Sequence, residues 1–336
     1  MHAEAIPTVI GSASGSRHTS GDSNLQGPSG VLLVDKPTGI TSHDVVDVVR
    51  RVYRTRSVGH TGTLDPAASG LMILLLGKGT KIALFVSGLA KCYCASIQLG
   101  QVSDTGDAEG HLSEAGDLSN VTRERVDAVL QSLHGDIALR IPAYAAVHTN
   151  GKRRYELARA GQTVPPMERI ASIFSTGLLA FGKPAITIRV HCATGTYIRS
   201  LAETIGEMLG CGAFLAGLRR EEVGQWHVDD AITIHDLESL DRNGDRSAAL
   251  RAIEEFLPFP KVRVQGEFMP SIVMGRPITP AAISNIEGHF AIGDPVTVCD
   301  AVGHAIAMVT ARFDSPQWPD RLPTGELFTY RRVLVS

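Results

Sequence analysis

The chain has 336 residues, a formal net charge of -3, and a composition of 43% hydrophobic and 20% charged residues. These proportions are typical of a globular protein and exclude a disordered chain, and no apolar run reaches the roughly 18 residues that a membrane span needs. The length allows one large domain with a small one, or two medium ones. Because positive and negative charges nearly cancel, a nucleic-acid partner would require basic residues gathered on one face.

The cysteines are five in number and scattered, at positions 92, 94, 192, 211 and 299. A chain of this length does not need disulfides for a stable core, so the pattern favours a reducing cytosol and a cytoplasmic protein. Cys92 and Cys94 lack a second ligand pair at zinc spacing, and they are interpreted as strand side chains. The sequence therefore predicts no metal site.

Residues 1–29 are mostly small and polar and show no hydrophobic periodicity. This composition predicts a disordered leader. A secretory signal is not expected, because Glu4 stands where positive charge is required and Pro7 interrupts the short apolar stretch.

The ordered chain is predicted to begin with a strand at residues 31–34, a short apolar run. A helix follows, with Thr41 or Ser42 as its N-cap and valines at helical spacing. Beyond a glycine-flanked loop, residues 71–76 are continuously apolar and too few for a typical helix, which indicates a strand buried on both faces.

The loop between this helix and this strand, residues 59–71, reads GHTGTLDPAASGL and contains one carboxylate, Asp65. Pro66 pushes Asp65 toward extended geometry, so its side chain leaves the loop in a restricted direction. Such a fixed carboxylate suits a nucleophile. An isolated Asp-Pro pair is more often an ordinary turn, so the choice depends on the surrounding residues.

Residues 77–81, GKGTK, resemble a phosphate-binding loop only superficially. Met72 stands where a P-loop needs its first glycine, and Ile82 replaces the last glycine of a dinucleotide fingerprint. No nucleotide cofactor is therefore expected. Lys78 and Lys81 are either contacts to the phosphates of a larger substrate or simple surface lysines.

The middle of the chain alternates strand and helix patterns. Residues 91–99 predict a strand that carries Tyr93, and residues 101–110 predict an acidic loop that lacks the ligand order of an EF-hand. A helix is expected near residues 123–133. Residues 152–159, KRRYELAR, have the composition of a helix that lies against an RNA backbone or of an exposed, charge-rich helix.

A strand-to-helix junction follows. Alternation over residues 186–192 predicts a half-buried strand, and apolar residues over 198–209 recur at helical spacing until Gly210. Tyr197 and Arg199 are therefore expected in the first turn of a helix, at the kind of junction that commonly carries active sites.

After residues 258–260 the pattern changes to short strand-like runs. These runs lie at residues 262–264, 295–299, 306–309 and 332–335, with a hairpin turn at 300–304. They predict a small β-rich domain over residues 261–336, which follows a larger domain over residues 30–258.

Several spaced motifs together resemble the TruB family of tRNA pseudouridine synthases over roughly residues 30–235. They are VLLVDKP at 31–37, GITS at 39–42, GHTGTLDP at 59–66, GTYIR at 195–199, and GCGA at 210–213 with LRR at 218–220. The resemblance implies an α+β fold. A pseudouridine-synthase catalytic domain with a mixed, largely antiparallel central sheet flanked by helices is followed by a small β-rich PUA-like domain.

The resemblance also implies a reaction, the isomerisation of uridine 55 in the T-loop of tRNA without a cofactor. By motif position, Asp65 is the expected nucleophile, Tyr93 lies against the flipped base, and Arg199 pairs with Asp65. The substrate-binding residues implied are His60, Lys36, Tyr197 and Leu218. The implied partner is the T-arm of tRNA, with no membrane and no obligate protein partner.

Two departures from the family pattern are visible. Ala145 and His148 occupy the serine and lysine positions of a Ser-Ala-x-Lys pattern, and the chain from about residue 261 is only loosely similar to a PUA domain. Two other functions are weighed against the enzyme: a tRNA-binding folding chaperone whose catalysis is dispensable, and a small-molecule isomerase. The complete set of Asp65, Tyr93 and Arg199 favours catalysis.

Overall fold

The computed structural model describes residues 27–318 and 325–335, except 145, 146, 150, 151, 155, 156, 158, 159, 161 and 163. The leader predicted over residues 1–29 falls almost entirely outside this part of the chain. The α-helices described are α1 (Ser42–Tyr53), α2 (Ala83–Ser87), α3 (Arg123–Ser132), α4 (Ile198–Leu209), α5 (Ile234–Asn243) and α6 (Met269–Val273). Within the described residues, no helix is both long enough and apolar enough to cross a membrane.

The strands of the first 260 residues form one large sheet and two small hairpins. They are β1 (Gly30–Lys36), β2 (Val58–His60), β3 (Ser69–Leu76), β4 (Lys91–Leu99), β5 (Gln101–Ser103), β6 (Leu112–Glu114), β7 (Gly135–Arg140), β8 (His148–Thr149), β9 (Lys152–Arg153), β10 (Glu168–Gly182), β11 (Ala185–Cys192), β12 (Ala213–Val223), β13 (Trp226–His227) and β14 (Ile232–Thr233).

The large sheet has the order β14-β1-β3-β12-β4-β11-β10-β7, with β2 beside β3 and β13 beside β12. The pairs β1 with β14 and β3 with β12 are parallel, and the other pairs are antiparallel. Residues from α1, α3, α4 and α5 join the apolar core on one face of this sheet. The predicted fold class, a mixed and largely antiparallel sheet flanked by helices, is confirmed.

Strand β3 lies between two apolar cores, which explains why its sequence is apolar without alternation. Met72 and Leu74 pack in the core beneath α1, whereas Leu71 and Ile73 pack in a second core with Trp226. Every residue from Leu71 to Leu76 is at most 1% exposed. The predicted burial on both faces is confirmed.

The two helices nearest the site have well-defined ends. Thr41 is the N-cap of α1 and forms a capping box with Asp44, so the cap is Thr41 and not Ser42. Gly210 ends α4 with φ 75°, a left-handed conformation that glycine adopts without strain. Tyr197 is the N-cap of α4, one residue before the predicted first turn, and Arg199 is the second helical residue.

The C-terminal region has its own five-stranded sheet and core. Its strands are β15 (Lys261–Val264), β16 (Ile283–Glu287), β17 (Pro295–Cys299), β18 (Ala305–Ala311) and β19 (Phe328–Val333), in the order β16-β15-β17-β18-β19. The hairpin turn at 300–304 is confirmed, because the Asp300 carboxylate accepts hydrogen bonds from three backbone amides of that turn. The last strand lies at Phe328–Val333 and not at 332–335.

This C-terminal sheet packs directly against the large sheet. Met308 and Leu334 belong to the same apolar cluster as Leu33 and Phe256. Lys81 Nζ donates a hydrogen bond to the Leu334 carbonyl, 2.9 Å away. The side chain of Lys81 is therefore a structural link between the two sheets.

The basic segment at 152–159 differs from its prediction. Lys152–Arg153 form strand β9, and four later residues of the segment lie outside the described part of the chain. Arg154 is 2% exposed. Its guanidinium donates hydrogen bonds to the carbonyls of Ile141, Pro142 and Pro165. Arg154 is thus a buried structural cation and does not belong to an RNA-facing surface.

The predicted acidic loop at 101–110 is shorter than expected, because Gln101–Ser103 form strand β5. His148 lies in strand β8, whereas Ala145 lies outside the described residues. The long strand β10 was not predicted, since its register shifts twice along β11 and the regular alternation of a strand is lost.

Candidate active site

The Asp65 loop is held by a buried ammonium group. Lys36, at the end of β1, is 0% exposed. Its Nζ donates hydrogen bonds to the carbonyls of Pro37 at 2.8 Å, Pro66 at 3.3 Å and Ala68 at 2.6 Å. Burial lowers the pKa of Lys36, and the nearby Asp65 charge opposes that shift. Lys36, predicted as a substrate-binding residue, fixes the backbone on the C-terminal side of Asp65.

A serine hydroxyl fixes the other side of the loop. Ser42 Oγ accepts a hydrogen bond from the Leu64 amide and donates one to the Leu64 carbonyl, both at 2.8 Å. Leu64 is buried, whereas the Asp65 side chain is 45% exposed. The backbone around Asp65 is therefore fixed while its carboxylate faces the solvent.

Arg199 holds the Asp65 carboxylate from the start of α4. Its Nε lies 3.3 Å from Asp65 Oδ2, and its Nη1 lies 3.4 Å from Asp107 Oδ2. The guanidinium also donates hydrogen bonds to the carbonyls of Thr105 and Tyr144, each at 3.3 Å. The Arg199 side chain is only 9% exposed. One buried cation therefore bridges two carboxylates, and Asp65 is the more exposed of the two.

Tyr93 lies in β4 and is 8% exposed, as part of the main apolar core. Burial raises the pKa of its phenol, and the guanidinium of Arg220 opposes the shift by its charge and by hydrogen bonding. The charge of Asp65 raises the pKa a little further, which places the phenol in the electrostatic field of that carboxylate.

His60 ends β2, just before the Asp65 loop. Its Nδ1 is buried and has no hydrogen-bond partner within the described part of the chain. Burial lowers the pKa of His60, with smaller effects from the charges of Arg220 and His43. Burial of this imidazole therefore disfavours its protonated form.

A small cleft connects the exposed carboxylate with two other predicted residues. Asp65, Asp107, Arg199 and Leu218 line it together with backbone around Gly217. Tyr197 is the N-cap of α4, two residues before Arg199. Burial raises the pKa of its phenol, while the charges of Arg169, Arg199 and Arg154 oppose the shift. Among the predicted site residues, the structure thus brings Asp65, Arg199 and Leu218 into one cleft.

Three further residues of the site were missed from the sequence. The sequence assigns no site role to them: Ser42 is predicted as a possible helix cap and lies in the GITS motif, Asp107 lies in the acidic loop, and Arg220 lies in the LRR motif. The spacing of these residues from Asp65 carries no local signal, because each contact depends on the folded sheet. Within the described residues, no group of three His, Cys, Asp or Glu side chains is arranged to hold a metal ion.

Family models cover most of the chain. The TruB family pseudouridylate synthase N-terminal domain matches residues 50–198, the tRNA pseudouridylate synthase B C-terminal domain matches residues 199–257, and the PUA domain matches residues 260–320.

Curated relatives match at substantial identity. A tRNA pseudouridine synthase B of Dehalococcoides mccartyi (strain ATCC BAA-2100 / JCM 16839 / KCTC 5957 / BAV1) is 37% identical over 294 residues, which are 87% of this chain and 96% of the relative. A tRNA pseudouridine synthase B of Burkholderia lata is 41% identical over 273 residues, covering 81% of this chain and 84% of the relative.

Solved structures share the fold. A chain in a Cbf5-Nop10-Gar1 complex matches with a TM-score of 0.72 and 25% identity over 91% of this chain and 85% of that chain. A chain in an H/ACA RNP bound to a substrate RNA containing 2'-deoxyuridine matches with a TM-score of 0.73 and 23% identity over 91% of this chain and 85% of that chain. From the family models and the close relatives together, the chain belongs to the TruB family of pseudouridine synthases.

Proposed function

We propose that this protein isomerises uridine 55 in the T-loop of tRNA to pseudouridine, with Asp65 as the nucleophile. One observation carries the proposal. The Asp65 carboxylate is 45% exposed, yet Lys36 and Ser42 hold its backbone and Arg199 holds its side chain. A carboxylate that is held in place and open to solvent is equipped to attack a substrate.

The chemistry of this reaction balances within the substrate. The bond from N1 of uracil to C1' of the ribose breaks, the base turns, and a bond forms from C5 to C1'. C5 loses a proton and N1 gains one, so substrate and product are isomers. Asp65 can act at the sugar, at the base, or by way of a glycal. Arg199 forms the ion pair that orients the Asp65 carboxylate.

A uridine within a folded RNA loop must be extruded before an enzyme can reach its glycosidic bond. We assign Tyr93 to the face of the flipped base, where the phenol can serve in proton transfer. His60 would occupy space near the extruded nucleotide, and Leu218 would line the pocket. Tyr197 would contact the substrate from the N-terminus of α4, and Lys36 supports the Asp65 loop.

The RNA partner is proposed from the family and from the domain composition. Relatives named tRNA pseudouridine synthase B match most of the chain, and a PUA domain model matches residues 260–320. We therefore propose that the substrate is tRNA, bound at its T-arm.

The decisive experiment replaces Asp65 by Asn, which keeps the size of the side chain and removes its charge. We expect Asp65→Asn to abolish pseudouridine formation on a T-arm transcript while it binds that transcript as tightly as the unmodified protein. Asp104→Asn, a carboxylate in the neighbouring turn, is the matched control and should react normally. Full activity of Asp65→Asn would refute the nucleophile assignment.

The same variant separates the two other functions. If Asp65→Asn still restores the fold of a misfolded tRNA, the chaperone activity exists beside catalysis. RNA binding should also weaken steeply as salt rises, because bound phosphates release counterions. Indifference of the reaction to salt would instead favour a small-molecule isomerase.

A further inference from the structure

We propose that Arg220 is a positioning residue, which holds the phenol of Tyr93 and the turn at Gly62 in one fixed arrangement for the reaction. The inference rests on the proposed function, because it assigns to Arg220 an action through Tyr93. Arg219 and Arg220 are neighbours in the sequence, but the structure places them differently. Only 2% of Arg220 is exposed, whereas the Arg219 side chain is 40% exposed.

The backbone contacts of Arg220 join two parts of the Asp65 loop. Its Nε donates a hydrogen bond to the Leu71 carbonyl at 2.6 Å, and its Nη2 donates one to the Gly62 carbonyl at 3.1 Å. Leu71 and Gly62 stand on either side of Asp65 in the chain. The guanidinium therefore fixes both ends of the loop at once.

The packing around these contacts leaves little freedom. A Cβ on Gly62 would lie 3.3 Å from Arg220 Nη1. A Cβ on Gly70, whose φ is +107°, would lie 2.2 Å from the Arg220 carbonyl oxygen. Glycine is therefore required at position 70, where β12 passes close to β3, and this close passage brings the guanidinium beneath the loop.

The third contact of Arg220 is with Tyr93. The two residues are direct cross-strand partners in the register of β12 and β4. The buried guanidinium opposes the rise in the pKa of the phenol by its charge and by hydrogen bonding. Lys91, two residues before Tyr93, contributes to the same buried environment: burial and the charge of Arg220 lower its pKa to about 8.

Arginine suits this position because its planar guanidinium donates from several nitrogens in fixed directions. A lysine would keep the positive charge but could not reach the Leu71 carbonyl, the Gly62 carbonyl and the Tyr93 phenol with one rigid group. The substitution Arg220→Lys therefore separates the geometry of the contact from its charge.

The test is a double-mutant cycle between Arg220→Lys and Tyr93→Phe in the full chain. The measured quantities are the single-turnover rate of pseudouridine formation on a T-arm transcript, the Kd for that transcript, and the melting temperature. We expect Arg220→Lys to slow the reaction at least tenfold with Kd changed less than threefold. The double variant should be no more than threefold slower than the slower single variant.

Arg219→Lys is the matched control. Arg219 forms a bidentate pair with Asp35, with hydrogen bonds of 3.0 Å and 2.8 Å. Its guanidinium also donates a longer hydrogen bond of 3.5 Å to the Ser69 hydroxyl, near the end of the Asp65 loop, but it does not bind the carbonyls of Gly62 and Leu71 that Arg220 holds. The single-turnover rate of Arg219→Lys should stay within threefold of the rate of the unmodified protein. An equal loss in both lysine variants would overturn the inference, because the effect would then be general to this strand.

Further results would contradict the positioning role of Arg220 or its action through Tyr93. Rate losses that multiply in the double variant would show that Arg220 acts independently of Tyr93, and a normal rate for folded Arg220→Lys would exclude a positioning role. If Arg220→Lys does not fold, Gly62→Ala replaces it in the cycle, because the added Cβ would displace Nη1 of Arg220. A normal rate for Gly62→Ala would then overturn the inference. A normal rate for Tyr93→Phe overturns it too, while Asp65→Asn still tests the proposed function separately.

Discussion

The loop that carries Asp65 and the turn that carries Asp107 face the same guanidinium, but they are built in different ways. The Asp65 loop is held by Lys36 and Ser42, which are 22 to 32 residues away from the backbone groups they bind. Arg220 reaches the same loop across 149 and 158 residues.

The Asp107 turn is stabilised by its own neighbours. Thr105 Oγ1 donates a hydrogen bond to Asp107 Oδ1 at 2.6 Å, and the Glu109 amide donates to the same oxygen at 3.1 Å. The His111 amide donates to Asp104 Oδ1 at 2.7 Å. These contacts span two to seven residues.

The candidate active site is therefore supported in two ways, by contacts that are distant in the sequence around Asp65 and by contacts between near neighbours around Asp107. The Asp65 loop takes its shape from the whole sheet, so damage to its supports should cost both stability and activity. The side chains of the Asp107 turn bond within the turn, and its longer-range hydrogen bonds, from Arg199 to the Thr105 carbonyl and from the Leu215 amide to the Gly106 carbonyl, involve backbone acceptors. A change of charge at Asp107 should therefore alter the rate and leave the fold intact. Each prediction below challenges one side of this contrast.

The largest effect is expected from Lys36→Met. Methionine fills the buried space, but the carbonyls of Pro37, Pro66 and Ala68 lose their donor. Unfolding by urea should show a loss of about 3 kcal/mol in the free energy of unfolding, because buried acceptors are left unpaired. The single-turnover rate should also fall at least a hundredfold.

Lys81→Met is the matched control for Lys36→Met. Lys81 donates a hydrogen bond to the carbonyl of Leu334, which does not belong to the Asp65 loop. The Lys81→Met variant should lose about 1 kcal/mol in the free energy of unfolding and keep the reaction rate of the unmodified protein. A normal rate for Lys36→Met, once folded, would show that the loop keeps its shape without the ammonium.

Ser42→Ala and its neighbour Thr41→Ala form a second pair. Ser42 satisfies the amide and the carbonyl of Leu64, whereas Thr41 caps α1. Both variants should be less stable, by about 2 kcal/mol for Ser42→Ala and about 1 kcal/mol for Thr41→Ala. Only Ser42→Ala should slow pseudouridine formation, by about tenfold. Equal rates in the two variants would contradict a role for Ser42 in holding the loop.

The same contrast explains which parts of the fold could be predicted. The strands β1, β3, β4 and β11 and the helices α1 and α4 carry their periodicity and end signals within a few residues, so local patterns were sufficient. Strand β10 was missed because its register shifts and because Ile170 and Phe174 on it are exposed. Strand β16 has only one buried residue, Ile283, and shows little pattern.

The candidate site was predictable only as far as its motifs. The pairing of Arg199 with Asp65 followed from the resemblance, and the structure contains that contact. The burial of Arg154 and Arg220 could not be foreseen, because charged residues next to other charged residues are usually solvated. Most of their partners are backbone carbonyls, and a sequence gives no sign of where a carbonyl will lie.

On the local side of the contrast, Asp107→Asn should slow the reaction about tenfold, because Arg199 then keeps only one carboxylate partner. The asparagine oxygen can still accept the hydrogen bonds from Thr105 and the Glu109 amide, so the melting temperature should change by no more than 2 °C or so. Asp104→Asn, which keeps the bond to the His111 amide, is the control with a normal rate. A large loss of stability in Asp107→Asn would mean that the turn is not self-sufficient.

The smallest effect concerns His60 and pH. Burial lowers the pKa of His60 in the folded protein, so the unfolded chain binds a proton more readily than the folded one. The neutral form of His60 therefore favours the folded state. This contribution to the free energy of unfolding is complete above the pKa that His60 has in the unfolded chain, about 6.5, and it is lost as the pH falls through the lower pKa of the folded protein. His60→Asn removes the titrating group. Its free energy of unfolding should therefore fall less steeply between pH 7 and pH 5, with a slope difference of at most one proton, about 1.4 kcal/mol per pH unit. Parallel curves for the two proteins, measured by urea unfolding, would show that this imidazole does not oppose acid stability, and that its free Nδ1 is solvated in the native state.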